Sequence, residues 1–311
     1  PNYGLTNEQS SFDGRYQLGD LCPTGEVLFD LLPLVSALPH DAELDGMVIA
    51  KMYYDWQLQY TGRLNHSQQD FAKNMSGDLE FAKKTLGKDD ATEEEIQAEA
   101  TKKQTTFPFM GADNTMAECY VRVILAMLRY GSDPAGPSDL FFKNLETMVR
   151  ALQNCAESKA VLTAIFMSRV LFGVLAGQST DDAFNAACDA HKDNAMITAA
   201  VDFVKANREK DCYEAINLYG ASVCANEAYK KFVGRGCMGP HAMICSLFLV
   251  LKGNDYETTM RENAWVGGDS SQRAIIIGAI CAARDGAVPA ALESKFTHAK
   301  AARKLIMAAI P

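Results

Sequence analysis

The chain has 311 residues, 48% of them hydrophobic, and its 39 acidic against 30 basic side chains leave a formal charge of -9. That length and apolar content are enough for one large or two medium globular domains with a sizeable core. A net anion is poorly matched to nucleic-acid phosphates or acidic lipid surfaces, so neither is expected as a partner.

The chain opens at Pro1 without an initiator Met, and its first stretch is polar and turn-rich. It reads as a processed or trimmed start, so residues 1–25 are expected to be irregular and an upstream part of the fold is expected to be missing. From Glu26 onward the pattern is helical, with apolar residues recurring at three and four. Val27, Leu28, Leu31, Leu32 and Val35 form the first stripe, which Pro33 is expected to kink or break. Gly46 to Tyr60 follows with Val48, Ile49, Met52, Tyr53 and Trp56 inward, and then Ser67 to Lys84. Gly87 to Lys103 carries Glu93, Glu94 and Glu95, read as a solvated helix face. Asn114 to Tyr130 is strongly periodic, and Asn114 is a candidate helix cap.

Ser138 begins another helix, and Ser158 to Ala176 is apolar nearly all round, which marks a central helix packed on several sides. Further helices are expected at Thr180 to His191, Ala195 to Ala206, Cys212 to Tyr219, Ala225 to Phe232, His241 to Lys252, Tyr256 to Asn263, Ser271 to Arg284 and Lys295 to Ile310. Strand signals are nearly absent and no fixed period repeats. The expected fold is therefore all-α: a single-domain multi-helix bundle over residues 26–311.

Nine cysteines lie singly in apolar segments with no Cys-x-x-Cys pair, and no secretory signal precedes them. They read as reduced thiols in a cytoplasmic compartment. No uninterrupted apolar run approaches the roughly 20 residues of a membrane helix, so no span is expected. His40, His66, His191 and His298 have no partners at metal-ligand spacing and read as surface or helix-face residues.

The most informative stretch is Gly267-Gly268-Asp269-Ser270-Ser271-Gln272-Arg273, followed by the small apolar run Ala274 to Ala283. Two glycines allow a tight turn before a helix whose first turn then carries a carboxylate and two hydroxyls. Such a cluster suits a hard cation or a phosphate-bearing ligand, and an ordinary N-cap uses the same residue types. Cys237, between glycines and near His241, is either a reactive thiol or a packing residue.

The segment Trp265 to Ala283 resembles the C-terminal signature of the ADP-ribosylglycohydrolase family, where Gly-Gly-Asp-Thr-Asp-Thr supplies metal ligands. Arg273 and Ile277-Gly278-Ala279 look closest to the branch of the jellyfish J-type crystallins and selenoprotein J. Gly111 to Met116 running into Val121-Arg122, Gln153-Asn154 to Phe172, and Phe232 to Cys237 followed by Pro240 are similar to other family segments in the same order. Leu18-Gly19-Asp20 followed by Val27 to Leu32 resembles a degenerate first metal motif.

The resemblance implies an all-α fold, two magnesium ions in a cleft, and hydrolysis of glycosidic bonds to ADP-ribose. It makes Asp20, Asp269 and Ser271 the metal positions, and Asn114, Gly267, Gly268, Ser270 and Cys237 the candidate ligand-binding ones, with an ADP-ribose-like molecule as the implied ligand. No catalytic acid is identified. The family's Thr-Asp-Asp has become Gly19-Asp20-Leu21, its second C-terminal Asp is Ser271, and its final Thr is Gln272. Two magnesium ions need several carboxylates to offset their mutual repulsion. The expectation is thus a degraded dimetal site holding no ion or one weak one, in a non-catalytic, crystallin-like structural protein. The alternatives are a magnesium-dependent hydrolase of ADP-ribose conjugates, or a scaffold subunit in a homo-oligomer or larger assembly.

Overall fold

A computed structural model describes residues 19–131, 136–226, 230 and 233–310. Among these there are 16 α-helices and no strand. In chain order they are α1 (Pro23–Ser36), α2 (Gly46–Gln57), α3 (His66–Ser76), α4 (Leu79–Leu86), α5 (Glu93–Thr105), α6 (Cys119–Tyr130), α7 (Asp139–Leu152) and α8 (Lys159–Leu175). Then come α9 (Thr180–Ala190), α10 (Ala195–Asn207), α11 (Cys212–Val223), α12 (Gly239–Leu251), α13 (Tyr256–Val266), α14 (Ser270–Asp285), α15 (Ala290–Glu293) and α16 (Ala299–Ala309). The all-α expectation is met.

Several boundaries differ from the periodicity, each for a local reason. Helix α1 starts at Pro23, inside the segment expected to be irregular, because proline at a first helical position gives up an N–H that has no intrahelical acceptor. Pro33 does not break it; the ring faces solvent and the helix runs three residues further. The stretch from Ser67 to Lys84 is two helices, divided where Gly77 takes a left-handed conformation (φ 72°) and Asp78 caps α4 through Phe81 N–H. Helix α6 begins at Cys119, five residues past Asn114, so Asn114 is not its cap. In the closing stretch from Lys295 the helix, α16, starts only at Ala299, and the short α15 lies before it. The helix expected over Ala225 to Phe232 lies mostly outside the described residues.

Glu93, Glu94 and Glu95 are exposed, as a solvated face requires, and Thr92 and Glu95 complete a capping box. Ala156–Leu175 is long and apolar enough to cross a bilayer by length and composition, a span the sequence reading did not anticipate. Here its residues from Lys159 on form α8, packed against α6, α7, α9, α12 and α14, with Phe166, Met167 and Val170 fully buried. Helix α14 is also internal, contacting α1, α6, α8, α12 and α13. Its buried Ile276, Ile277, Ile280 and Cys281 anchor it in the common core. Both of its ends reach the surface, the N-terminus at the cavity described below.

Candidate functional site

The turn into α14 is held by one buried cation. Arg273 is fully buried, and its guanidinium donates Nη1–H to Arg235 O (2.8 Å), Nη2–H to Gly267 O (2.7 Å) and Asn263 O (3.3 Å), and Nε–H to Asn263 Oδ1 (2.9 Å). All of these acceptors are neutral oxygens. The fork geometry of Arg lets one side chain pin the loop before α14 and the loop carrying Arg235 at once. Asp269 N–H adds a bond to Arg235 O (2.7 Å). Gly268 is required here twice over: its φ is 67°, and a Cβ would sit 2.1 Å from Arg235 O.

With the turn so placed, Asp269 caps α14. Its Oδ1 accepts from Gln272 N–H (3.2 Å) and from the Ser271 hydroxyl (3.0 Å), and Ser271 Oγ in turn lies 3.5 Å from Thr24 Oγ1 on α1. On the facing rim Asp20 is exposed, and Thr297 Oγ1 lies 3.3 Å from its Oδ1 and 3.0 Å from Gly19 O. Between the rims lies a cavity of about 720 Å³, a size suited to a small molecule. Asp20, Cys237, Gly268, Asp269, Ser270 and Ser271 all border it, so the fold brings together six of the eight residues singled out by sequence. A larger open groove of about 1200 Å³ lies beyond Asp20, between α1, α2 and α16, and touches none of the α14 turn.

Gly267 and Asn114 do not border the cavity. Gly267 ends α13 and shapes the turn from behind. Asn114 ties a loop together: its Oδ1 accepts from Met116 N–H (3.3 Å), Gln153 Nε2 (3.3 Å) and the Ser67 hydroxyl.

Cys237 is joined to the same loop through Ala117 N–H, which donates to Cys237 O (2.6 Å). Burial pushes the Cys237 thiol above its ordinary value and the Asp269 charge adds to the effect, so the nucleophilic thiolate is disfavoured. His241 does not pair with it; His241 Nδ1 is 2.8 Å from Tyr219 Oη, and burial followed by the Lys159 charge lowers the imidazole below its ordinary value. Among the other histidines, His191 is half-buried against Phe166 rather than on the surface, and exposed His66 borders the cavity.

The sequence reading missed Glu118, Asn65 and Gln68 in the cavity wall. Glu118 is fully buried; Oε1 accepts from Arg122 Nη1 (2.9 Å) and Oε2 from Asn65 Nδ2 (2.5 Å). Burial works against the Arg122 charge, and its neighbours, Glu118 foremost and then Tyr53, together outweigh it, leaving the guanidinium pKa raised. The Glu118–Arg122 pair at i,i+4 and the Asn65-x-x-Gln68 capping box were both legible as spacings. Neither spacing says that the residues face Asp269.

Among the described residues no three His, Cys, Asp or Glu side chains converge on one point. Glu118 is neutralised by Arg122 and Asp269 caps its helix through Oδ1, so with Asp20 as the third carboxylate of the wall this donor set is too poor in charge to fit a pair of magnesium ions.

The sequence model of the ADP-ribosylglycohydrolase family matches residues 28–309. The chain belongs to that family. A solved structure titled "ADP-ribosylglycohydrolase-related protein complex" is similar over 93% of this chain and 80% of that one, with a TM-score of 0.55 and 12% identity. At that identity the likeness is one of fold, and it agrees with the helical architecture described above. No curated protein sequence matches. Within the ADP-ribosylglycohydrolase family, then, this chain carries a Gly-Gly-Asp turn whose carboxylate caps the helix that follows it.

Proposed function

We propose that this chain is an ADP-ribosylglycohydrolase-family protein that has given up paired-metal hydrolysis and serves as a structural protein of the kind represented by the J-type crystallins. The observation that carries the reading is the employment of the cavity's carboxylates. Asp269 Oδ1 accepts two bonds from its own helix turn, and Glu118 is paired with a buried arginine. A hydrolase of this family polarises its substrate with divalent ions, which need unengaged carboxylates as ligands. Ser271 in place of an acid offers a neutral oxygen and weaker attraction to a cation.

Calorimetric titration with magnesium, alone and with ADP-ribose, tests this together with an assay for release of ADP-ribose from modified arginine or serine. The expected result is no saturable heat at micromolar magnesium and no turnover. Binding of two ions per chain with release of ADP-ribose would replace this reading by that of a working hydrolase.

A further inference from the structure

Two buried amide side chains in the cavity wall each leave one polar atom without a partner. Gln68, 1% exposed, uses Oε1 to accept Asn65 N–H (2.9 Å) in the capping box of α3. That bond sets the orientation of its amide and leaves Nε2 unpaired. Gln272, 3% exposed, lies in the first turn of α14 and its Oε1 is likewise unpaired. Among the described residues these are the two such orphaned atoms whose residues border the cavity. A buried amide atom without a partner costs about 1 to 3 kcal/mol, and the cavity shared by the two residues is where a partner can enter.

We propose that this cavity binds a neutral molecule bearing a carboxamide or lactam edge, read by Gln68 Nε2 as donor and Gln272 Oε1 as acceptor. The complement of one donor and one acceptor is a ligand edge with one acceptor and one donor. A carboxylate supplies no donor for Gln272, and it meets the charges of Asp20 and Asp269 in the same wall. An amidinium supplies no acceptor for Gln68. Val27, Leu64, Pro23 and Met116 provide apolar wall for the rest of the molecule. The inference rests on the reading of the cavity as one without a metal pair, and it specifies the kind of ligand such a cavity takes.

The test uses three probes of one shape, benzamide, benzoate and benzamidine, titrated into the full chain in the presence of a chelator and followed by calorimetry or ligand-observed NMR. Benzamide is expected to bind, with benzoate and benzamidine weaker by about tenfold or more, the factor that one mismatched buried hydrogen bond commands. Gln68→Glu keeps the acceptor for Asn65 N–H and deletes the donor. Gln272→Met deletes the acceptor at similar length. Each is expected to weaken benzamide by about tenfold, and a melting curve for each shows that the fold is retained. If Gln272→Met does not fold, Gln68→Glu carries the test.

No binding of benzamide, equal binding of all three probes, preference for benzoate or for benzamidine, or undiminished benzamide binding in the folded variants would each overturn the proposal and leave water as the partner of these atoms. Because the chelator removes magnesium, these outcomes are independent of the magnesium titration that tests the preceding reading.

Discussion

The two rims of the cavity are built in opposite ways. The α14 rim is a buried knot: Arg273, inaccessible to solvent, binds four oxygens on three segments, and Gly268 fits where no side chain can. The Asp20 rim is exposed and is joined to the far end of the chain by Thr297. The difference teaches that a motif's most visible residues need not be its structural centre. The Gly-Gly-Asp turn keeps its shape because of an arginine four residues downstream of Asp269.

The largest expected effect breaks the α14 rim directly. Arg273→Met leaves Gly267 O and the Asn263 side-chain oxygen without their donor in a buried setting and Arg235 O with Asp269 N–H alone, and is expected to cost about 3 to 5 kcal/mol by urea denaturation. A loss below about 1 kcal/mol would mean that the rim is held by something else.

Gly268→Ala comes next. It forces a side chain into a left-handed conformation and against Arg235 O, with an expected cost of about 2 to 3 kcal/mol in the same measurement. An equal cost from an alanine at exposed Gly87, where a Cβ meets nothing, would remove the argument from close approach and leave only the backbone term.

The smallest effect sharpens the comparison electrostatically. The Asp269 charge helps to hold the Cys237 thiol up, so Asp269→Asn, which keeps a side-chain cap, is expected to lower that thiol's pKa while changing stability by less than about 1 kcal/mol. The sign follows from the thiolate: removing a nearby negative charge favours the ionised form, so alkylation of Cys237 by iodoacetamide speeds up at a fixed pH near neutrality. Asp20→Asn is expected to leave both the alkylation rate and the stability unchanged, within about 0.5 kcal/mol. Peptide-resolved mass spectrometry reads the rates; equal acceleration in both variants would show that the rims are not electrostatically distinct.

Much of the fold was legible in the residues because helix signals are local. Apolar periodicity marked α2 and α6, nearly continuous apolar runs marked α8 and α14, and side-chain caps such as Asp45, Asn65, Ser138 and Asp269 stand where their helices begin. Where the reading slipped, the cause was also local: proline at the first position of α1, and a left-handed Gly77 dividing one apparent helix into two. The candidate site was legible in part, since Asp20, Cys237 and the α14 turn do meet at one cavity. Its buried wall was not. Glu118, Asn65 and Gln68 look like an ordinary ion pair and an ordinary capping box until their helices are packed.

By itself, then, the sequence determined the helical class, most helix positions and the motif that marks the family, because backbone propensity, capping and periodicity act over a few residues. Only tertiary structure decided which side chains share a space. Gly19 meets Thr297 across 278 positions, and Gln68 and Gln272 come to border one cavity. It also decided that Arg273 turns inward to hold two loops while Asp269 serves its own helix. Those outcomes follow from burial and from the need of every buried polar group for a partner, and that requirement operates on neighbours in space rather than in sequence.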